Sequence, residues 1–591
     1  MINFNSADSS KLFESLSENF KKPKQLTELH SNYLDILDNN FNLVGYLSPF
    51  SQLDLNDPTK ISKLSVWRNE NVNVYPTRFL ASPESTSNWF QKLVLENPNR
   101  LLFWIIDLSQ NLVGHVGITK NSEVDFEYEL DNVIRGNVST PGIMSFSIKR
   151  LEEWVETEFS AEHLHLKVME SNKHAIEFYK KMGYESVGRI GLREETQDKI
   201  VKLVPGTPEV DAFILMTKNI IESRPEQDKI LTAGPTISTL EISFVNDAVR
   251  NGWNNNHSDY INKFESEFAN FVGSKFAMAT SSCTGALHLS LLALGIKEGD
   301  EVIVPEITWV ATASAVRYVG ATPVFADIDP RTWTISLQSI KDLVTEKTKA
   351  IIPVHLYGYA ANLMEISDFA KSKGIFVVED AAPAIGTKIG NKFAGAIGDI
   401  GCYSFQGAKM LVTGEGGMLV TNDEDLYKKA KKIQDHGRKP GTFWIEELGF
   451  KYKMSNIQAA LGLAQLYRAD NQIFRKRRIN SWYKEGLKDI KGISFQEELV
   501  GTESICWMSS IKIGNSITIT RDEVISKLLE KGIDSRPVFP AISQYPFWNV
   551  KNTPKPIAKE IGDRSINLPS GVNLSKNSID YVVSSLHEIL T

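Results

Sequence analysis

One lysine stands out in the sequence because of its surroundings. Lys409 occurs in the segment CYSFQGAKMLVTGEGGMLVTND, residues 402–423, between the end of an apolar strand and a glycine-rich turn. From residue 402 to residue 414 this segment has no other charged side chain. A lysine in such apolar surroundings is not part of a solvated helix face, which indicates that its amine has a chemical role.

Other polar and aromatic side chains follow strands or begin a helix nearby in the predicted fold. Asp380 ends the strand in FVVEDAAPAIG, Trp309 comes just after a strand in PEITWVATASAV, and Ser404 lies five residues before the lysine. Cys283 and Thr284, in TSSCTGALHLSLL, fall at a helix N-terminus, where backbone N–H groups and the helix dipole favour a phosphate. In a doubly wound sheet such residues gather at the carboxyl ends of the strands.

An amine, a carboxylate, an aromatic ring and a phosphate-binding turn are the groups that pyridoxal phosphate requires. The lysine attaches to the cofactor as a Schiff base, and a carboxylate beside the pyridine nitrogen keeps that nitrogen protonated. The sequence therefore predicts a pyridoxal phosphate site. It predicts no metal site, because Cys283, Cys402 and Cys506 are far apart and lack CxxC spacing.

The elements around these residues predict two α/β regions. Apolar runs such as DEVIVPEIT, KAIIPVHLYG and GIFVVEDAA alternate with helical patterns, which is typical of a mostly parallel sheet buried on both faces. Further upstream, RLLFWIIDLSQNLVGHVGI predicts two strands, and a third strand, a helix, the strand HLHLKVM and a helix ending at Gly183 follow. A charged stretch with Pro and Gly near residues 219–237 separates the regions.

We therefore expect three parts: an N-terminal extension of unknown role at 1–41, an α/β domain at 42–222 and a larger domain at 223–591. The net charge is 65 − 72 = −7, which does not favour nucleic acid or an anionic membrane as a partner. The first residues lack the pattern of a signal peptide, and no apolar run has the roughly 18 residues of a transmembrane span. These features predict a cytoplasmic enzyme of small molecules.

The motifs of residues 228–591 carry a family resemblance. EDAAPAIG, GDIGCYSFQGAKMLVTGEGGMLVTND, SSCTGALHLSLLALGI, PVHLYG and KMSNIQAALGLAQL occur in the order seen in the DegT/DnrJ/EryC1/StrS nucleotide-sugar aminotransferases, which the chain resembles. That resemblance implies an aspartate aminotransferase-like domain of fold type I with a smaller C-terminal subdomain. It also implies a homodimer and transfer of an amino group from glutamate to a keto carbon of a nucleotide-linked sugar.

By this resemblance Lys409 is the Schiff-base lysine, Asp380 is the partner of the pyridine nitrogen, and Trp309 stacks on the ring. The residues implied to bind the phosphate are Cys283, Thr284, Ser404 and, from the neighbouring subunit, Lys451. Pro383 stands where many members have Gln or His, and Lys451 stands where many have Asn. Both departures resemble the GDP-perosamine-synthase branch, which acts on a 4-keto-6-deoxy sugar.

Each of these residues also has a plainer interpretation. Asp380 could cap a following helix, Trp309 could be a core aromatic, and Lys451 could be a solvated residue of a KYK run. His355 and His436 are interpreted as structural or substrate-lining residues rather than general bases.

The domain at 42–222 resembles a GCN5-related N-acetyltransferase. The segment ESNKHAIEFYKKMGYESVG has the spacing of that family, so that Asn172 is implied to contact acetyl-CoA and Tyr179 to protonate the departing thiolate. The usual pyrophosphate-binding run is replaced by RGNVSTPGIMSFS, which leaves Arg135, Gly136 and Gly142 as the residues implied to bind it. Tyr179 could instead be a core residue.

The general base of the front domain is left open among three residues on adjacent strands, His115, Glu127 and Glu129. The two halves together predict a bifunctional enzyme that aminates a nucleotide-linked 4-keto-6-deoxy sugar and then N-acetylates it for a surface polysaccharide. Two alternatives remain: an aminotransferase whose front domain is a non-catalytic binding or dimerisation module, and a pyridoxal phosphate-dependent sugar dehydratase or deoxygenase. The presence of Lys409, where deoxygenating relatives have histidine, disfavours the last.

Overall fold

A computed structural model of the chain describes most of the residues. The described residues are Phe13, Ser17, Phe20, Lys21, 33–38, 43–121, 128–159, 161, 163–197, 200–220, 229–237, 239–439, 441–548, 555–574 and 576–591. The chain divides into two compact units, residues 1–226 and 227–591. The extension predicted at 1–41 lies largely outside the described residues, as does the candidate base Glu127.

The front unit, residues 1–226, is built on one ten-stranded sheet. Its strands are β1 Leu34–Leu37, β2 Leu43–Pro49, β3 Thr77–Arg78, β4 Arg100–Asp107, β5 Leu112–Lys120, β6 Tyr128–Arg135, β7 His163–Met169, β8 Glu185–Gln197, β9 Ile200–Pro205 and β10 Asp211–Asn219. Its helices are α1 Gln52–Leu55, α2 Pro58–Glu70, α3 Pro83–Trp89, α4 Ile143–Phe159 and α5 Lys173–Lys181. The strand order is β1-β2-β4-β5-β6-β7-β10-β8-β9-β3.

Strand β4 shows why this sheet carries helices on both faces. Its side chains alternate between two apolar clusters, one that contains Phe103 and Ile105 with residues of α4, and one that contains Trp104 with residues of α2. A strand buried on both sides needs a nearly continuous apolar sequence, which is what RLLFWIID provides. The predicted strand, helix, strand, helix order of this region is therefore confirmed.

The second unit, residues 227–591, contains a seven-stranded sheet, two small sheets and long helices. Its strands are β11 Phe276–Thr280, β12 Glu301–Pro305, β13 Thr322–Ala326, β14 Thr348–Ile351, β15 Phe376–Asp380, β16 Lys388–Ile389, β17 Lys392–Phe393, β18 Ile400–Ser404, β19 Gly417–Thr421, β20 Ile493–Phe495, β21 Thr502–Glu503, β22 Ser509–Ile513, β23 Arg536–Pro537 and β24 Ser565–Leu568. Its helices are α6 Thr239–Asn251, α7 Asp259–Val272, α8 Cys283–Ala293, α9 Ala311–Tyr318, α10 Leu337–Leu343, α11 Leu363–Lys373, α12 Glu424–Gln434, α13 Asn456–Tyr467, α14 Ala469–Gly486, α15 Arg521–Glu530, α16 Pro556–Arg564 and α17 Lys576–Leu590.

The seven-stranded sheet has the order β11-β19-β18-β15-β14-β12-β13, and only β19 runs antiparallel to its neighbours. Its two faces are buried in separate clusters, because Tyr403 packs with Phe264 and Phe268 of α7 while Cys402 packs with Leu287 and Leu289 of α8. The mostly parallel sheet with helices on both faces is thus confirmed. It brings the carboxyl ends of β12, β14, β15 and β18 to one edge.

A smaller subdomain follows α13. An antiparallel sheet of order β20-β22-β24-β23 packs against α14, α15 and α17 around its own apolar cluster. This arrangement agrees with the smaller C-terminal subdomain that the family resemblance implies. Among the described residues, none of the helices is both long enough and apolar enough to cross a bilayer.

Candidate functional site

Lys409 lies in a tight loop between β18 and β19. Its N–H donates to the Gln406 carbonyl at 2.7 Å, and the Gly407 N–H donates to the Gly414 carbonyl at 2.9 Å, so that the loop closes on itself. The Lys409 Nζ lies 3.9 Å from the centroid of the Trp507 ring. Burial lowers the pKa of Lys409 to about 8, against the opposite effect of the nearby Asp380 charge. About a tenth of the amine is therefore neutral, and nucleophilic, at pH 7, far more than for a lysine with an ordinary pKa.

This shift can be measured on the cofactor-free protein. We expect Lys409 to react with acetic anhydride with a pH midpoint near 8, read by peptide mass spectrometry. The exposed Lys428, which pairs with Glu424, serves as the internal control because the pKa of such a lysine lies above about 10. In an Asp380→Asn variant the pH midpoint of the Lys409 reaction should be lower, because the negative charge of Asp380 raises the pKa of Lys409 in the wild type. A Lys409 midpoint equal to that of Lys428 would contradict this interpretation.

The two adjacent carboxylates at the end of β15 serve different purposes, because successive side chains of a strand point to opposite faces. Asp380 is 5% exposed, and its carboxylate accepts from the Thr312 hydroxyl at 2.7 Å and from the Ala382 N–H at 3.1 Å. Burial raises the pKa of Asp380, while these two hydrogen bonds and the Lys409 charge oppose the rise. The residues after Asp380 form turns rather than a helix, so the helix-cap interpretation is wrong.

Glu379, by contrast, belongs to a buried structural network. Its carboxylate accepts from the N–H groups of Gly395, Ile397 and Gly398 at 2.5–2.7 Å and from the Nε2 of His355 at 3.0 Å. The Nδ1 of His355 accepts the Ala361 N–H at 3.2 Å, which assigns the ring proton to Nε2. Both ring nitrogens of His355 are thus used in the fold.

The N-terminus of α8 and the end of β18 lie side by side at Gly417. Ser404 pairs with Gly417 in the sheet, and a Cβ on Gly417 would lie 2.5 Å from the Cys283 nitrogen. Only glycine allows this approach, which brings the Ser404 hydroxyl close to the first turn of α8. Ser282 caps that turn by accepting from the Gly285 N–H, and Thr284 is the second residue of the helix. The result is a cradle of N–H and hydroxyl groups that fits a phosphate.

The cradle and the lysine belong to one site. Burial raises the pKa of the Cys283 thiol, and both Asp380 and Lys409 are near enough for their charges to act on it. The structure thus brings together the predicted phosphate-binding turn, carboxylate and amine. These groups fit pyridoxal phosphate, which needs all three within the length of one molecule.

Four aromatic side chains form a row that ends at Lys409, which we call the aromatic row. Trp309 is 59% exposed and lies 5.7 Å from Phe539 between ring centroids. Phe539 stacks on Tyr357 at 5.6 Å, and Tyr357 lies 6.0 Å from Trp507. Trp309 is therefore not a core residue of this chain, and its ring is available for a ligand.

Sequence reasoning missed three members of the aromatic row. Tyr357, Trp507 and Phe539 are far apart in the chain and come from three different segments. The one local signal is backbone strain, because Tyr357 has a φ of 55°, a conformation that a bulky residue adopts only when its surroundings demand it. Their meeting at the lysine follows from the packing of the subdomain on the large sheet.

Two further predicted positions lie at the edge of this site. The Lys451 side chain is 56% exposed and pairs with Asp435 at 3.0 Å, while the Tyr452 carbonyl accepts the Ser281 N–H just before α8. A role of Lys451 at the phosphate of a neighbouring subunit stays a prediction. Pro383 is buried, and His436 is exposed.

In the front unit, β6 and β7 pair in parallel at Glu129–Leu130 and His165–Leu166. A cavity of about 520 Å³ is lined by both strands further along, at Ile134 of β6 and Met169 of β7. Parallel strands that separate in this way leave unpaired edges that can receive an extended ligand.

The predicted acetyl-CoA residues Tyr179 and Asn172 both line the cavity. Asn172 caps α5, since its side chain accepts the Ala175 N–H at 3.1 Å. Tyr179 is 8% exposed, and burial raises its pKa, so that its hydroxyl keeps its proton at neutral pH and can donate it.

The loop before α4 is arranged differently from the expectation. The N–H groups of Gly136 and Asn137 both donate to the Val113 carbonyl at 2.8 Å, so the Gly136 amide is already engaged. Gly136 is required instead by packing, because a Cβ there would lie 1.8 Å from the Trp67 ring. Gly142 has a φ of 84° before the first turn of α4, and Arg135 is exposed. Binding of a pyrophosphate by Arg135, Gly136 and Gly142 stays a prediction, without the Gly136 amide.

The described residues include two of the three candidate bases, His115 and Glu129. Burial lowers the pKa of His115 to about 4, and its Nδ1 is buried with no hydrogen-bond partner among the described residues. Glu129 pairs with Lys167 at 2.7 Å.

Comparison with known proteins agrees with this geometry. The profile of the DegT/DnrJ/EryC1/StrS aminotransferase family matches residues 235–587, which is more than half of the chain. The chain belongs to this aminotransferase family. The profile of the acetyltransferase (GNAT) family matches residues 65–184, so the front unit contains a GNAT domain. Aminotransferases of this family use pyridoxal phosphate, and GNAT acetyltransferases use acetyl-CoA.

Individual relatives match the aminotransferase unit over nearly their full length. GDP-perosamine synthase of Escherichia coli O157:H7 is 41% identical over 60% of this chain and 96% of its own. GDP-perosamine synthase of Caulobacter vibrioides is 39% identical over 61% of this chain and 98% of its own. The solved structure of a putative sugar aminotransferase, Spr1654 of Streptococcus pneumoniae in its PLP form, is 27% identical, with a TM-score of 0.57 over 61% of this chain and all of the other.

Proposed function

We propose that this aminotransferase is bifunctional: it transfers an amino group from glutamate to a GDP-linked 4-keto-6-deoxy sugar and then N-acetylates the amine from acetyl-CoA. The observation that carries the proposal is the amine of Lys409, held partly neutral beside Asp380 and a phosphate cradle, on the same chain as the Tyr179 cavity. The similarity to GDP-perosamine synthases supports a GDP-linked 4-keto-6-deoxy sugar as the acceptor of the amino group. A surface polysaccharide is the proposed destination of the product.

In the aminotransferase unit each residue has a defined task. When bound, pyridoxal phosphate supplies an aldehyde and an electron-accepting ring. Lys409 would hold the cofactor covalently, and its free amine would move the proton at the reacting carbon. Asp380 would keep the ring nitrogen protonated, while Ser404 and the first turn of α8 would hold the phosphate. Trp309 offers its exposed ring as a stacking surface.

In the GNAT domain the acceptor amine attacks the thioester carbon directly. The new C–N bond forms as the C–S bond breaks, and the leaving sulfur takes a proton from Tyr179. The attacking nitrogen loses one proton to become the amide, and that proton restores the Tyr179 hydroxyl. Because the pKa of Tyr179 is raised, the hydroxyl enters the reaction protonated. Burial lowers the pKa of His115 and Glu129 pairs with Lys167, so we propose that the amine enters the cavity in its neutral form.

A homodimer and a cytoplasmic location are part of the same proposal. One loop carries three strongly exposed apolar side chains. They are Phe443, which is 95% exposed, Trp444, which is 71% exposed, and Leu448, which is 90% exposed. Large exposed apolar side chains that cluster in one loop mark a protein interface. The loop leads directly to Lys451, whose predicted phosphate contact is made in the neighbouring subunit.

The test is to incubate the purified chain with glutamate and GDP-, dTDP- or UDP-linked 4-keto-6-deoxy sugars, with and without acetyl-CoA, and to weigh the products. We expect the GDP sugar to gain an amino group, and then an acetyl group only when acetyl-CoA is present. Tyr179→Phe should slow the second step by about 10²-fold or more and leave the first unchanged.

Two results would contradict parts of the proposal. If no keto sugar is aminated, the aminotransferase assignment fails. If the amino sugar forms but is never acetylated, and the chain does not bind acetyl-CoA in a calorimetric titration, the GNAT domain is a non-catalytic module.

A further inference from the structure

The charged side chains of the GNAT cavity pair with one another, with one exception. Arg100 donates through Nε to Asp131 at 2.7 Å, and Lys167 pairs with Glu129 at 2.7 Å. Arg68 also lines the cavity, and it forms no ion pair with any of the described residues. Since His115 is neutral at physiological pH, the cavity carries one uncompensated positive charge.

Arg68 is held in a fixed position. Its guanidinium lies 4.2 Å from the centroid of the Tyr75 ring and 4.5 Å from that of the Phe79 ring. Its Nη2 donates to the Thr77 carbonyl at 2.9 Å, whereas its Nε is buried without an acceptor in the described part of the chain. A rigid guanidinium that lines a cavity without a carboxylate partner among the described residues is a prepared anion site, because little side-chain entropy is lost on binding.

We propose that Arg68 binds a phosphate group of the acetyl acceptor, so that the GNAT domain acetylates the nucleotide-linked amino sugar and not the free sugar. Guanidinium groups favour phosphate because two N–H donors match two phosphate oxygens. Tyr179 and Arg68 line one cavity, which can hold the sugar amine at the first and the phosphate at the second. This inference rests on the proposed acetylation.

Coenzyme A also carries phosphate groups, so the experiment has to separate the two sources. Using the full chain loaded with pyridoxal phosphate, steady-state acetylation of GDP-perosamine is compared with that of the methyl glycoside of the same amino sugar. The dissociation constant of acetyl-CoA is measured separately by calorimetry. GDP is added as an inhibitor of the wild-type reaction.

For the wild type we expect a much lower KM for GDP-perosamine than for the methyl glycoside, and inhibition by GDP that is competitive with the amino sugar. Arg68→Gln should raise the KM for GDP-perosamine by about 10- to 100-fold with kcat nearly unchanged, as expected for loss of a charge-assisted hydrogen bond. The KM of the methyl glycoside and the binding of acetyl-CoA should not change.

The KM of Arg68→Lys for GDP-perosamine should lie between those of the wild type and Arg68→Gln, since lysine keeps the charge but lacks the bidentate donor geometry. If Arg68→Gln does not fold, the proposal is tested with the KM values of Arg68→Lys and with the inhibition of the wild type by GDP. The matched control is Arg189→Gln, because Arg189 is an exposed arginine that pairs with Glu170 and Glu209 on the same unit.

Equal KM increases for both acceptors would assign Arg68 to packing alone and overturn the proposal. A weakened affinity for acetyl-CoA in Arg68→Gln would assign the phosphate to coenzyme A instead and would also overturn it. If the wild type acetylates the methyl glycoside as well as GDP-perosamine, this inference fails while the proposed acetylation stands. If it acetylates neither, both fail.

Discussion

Replacing Lys409 by alanine is expected to reduce amino transfer from glutamate to the keto sugar by at least about 10⁴-fold. Alanine removes both the covalent attachment of the cofactor and the amine that moves the proton. In the structure, the Lys409 Nζ lies 3.9 Å from the centroid of the Trp507 ring and within reach of the Asp380 charge, so the amine belongs to the site. The measurement is 2-oxoglutarate formation together with the visible absorbance of the purified protein.

The matched control for this prediction is Lys428→Ala, because Lys428 is exposed on α12 and pairs with Glu424 at the surface. That variant should keep full activity. Lys409→Ala should unfold at a temperature close to that of the cofactor-free wild type, since Lys409 forms no ion pair with any of the residues that the structure describes. Retained turnover, or a visible absorbance unchanged by the substitution, would contradict the assignment of Lys409.

Replacing Asp380 by asparagine is expected to lower amino transfer by at least about 10²-fold without destabilising the fold. The amide lacks the negative charge that keeps the ring nitrogen protonated. It can still accept the Thr312 hydroxyl and the Ala382 N–H. Because burial raises the pKa of Asp380, its ionised form costs folding free energy at neutral pH, and the neutral amide removes that cost. Steady-state kinetics and thermal unfolding provide the two measurements.

The adjacent Glu379 offers the opposite variant. Glu379→Gln places an amide NH₂ against donors that need a carboxylate, namely three backbone N–H groups and the Nε2–H of His355. We expect a loss of about 3 kcal/mol in the free energy of unfolding and a smaller change in turnover of the folded fraction. If Asp380→Asn lost the stability and Glu379→Gln lost the activity, the division of labour between the two carboxylates would be wrong.

The fold of both units could be predicted largely from the sequence. Strands such as β4 and β15 are nearly continuous apolar runs, and helices such as α5 and α8 begin at Asn172 and Ser282, which cap them. These are local signals: burial on two faces demands apolar residues, and the free N–H groups of a helix N-terminus demand a polar cap. The amine, carboxylate and phosphate-binding turn could be recognised because each is tied to the end of such an element.

What the sequence could not show is which distant residues meet. The aromatic row joins residues from three remote segments to Trp309. The two acidic residues of the GNAT cavity pair with Arg100 and Lys167, which leaves Arg68 without a charged partner in the described part of the chain. The alternation of side chains along a strand predicts that Glu379 and Asp380 point to opposite faces of the sheet. Which of the two faces the ligand can be known only from the packed structure. The sequence by itself determined the elements and the reactive groups at their ends. The tertiary structure alone decided the side chains between them, because their contacts depend on how the elements pack.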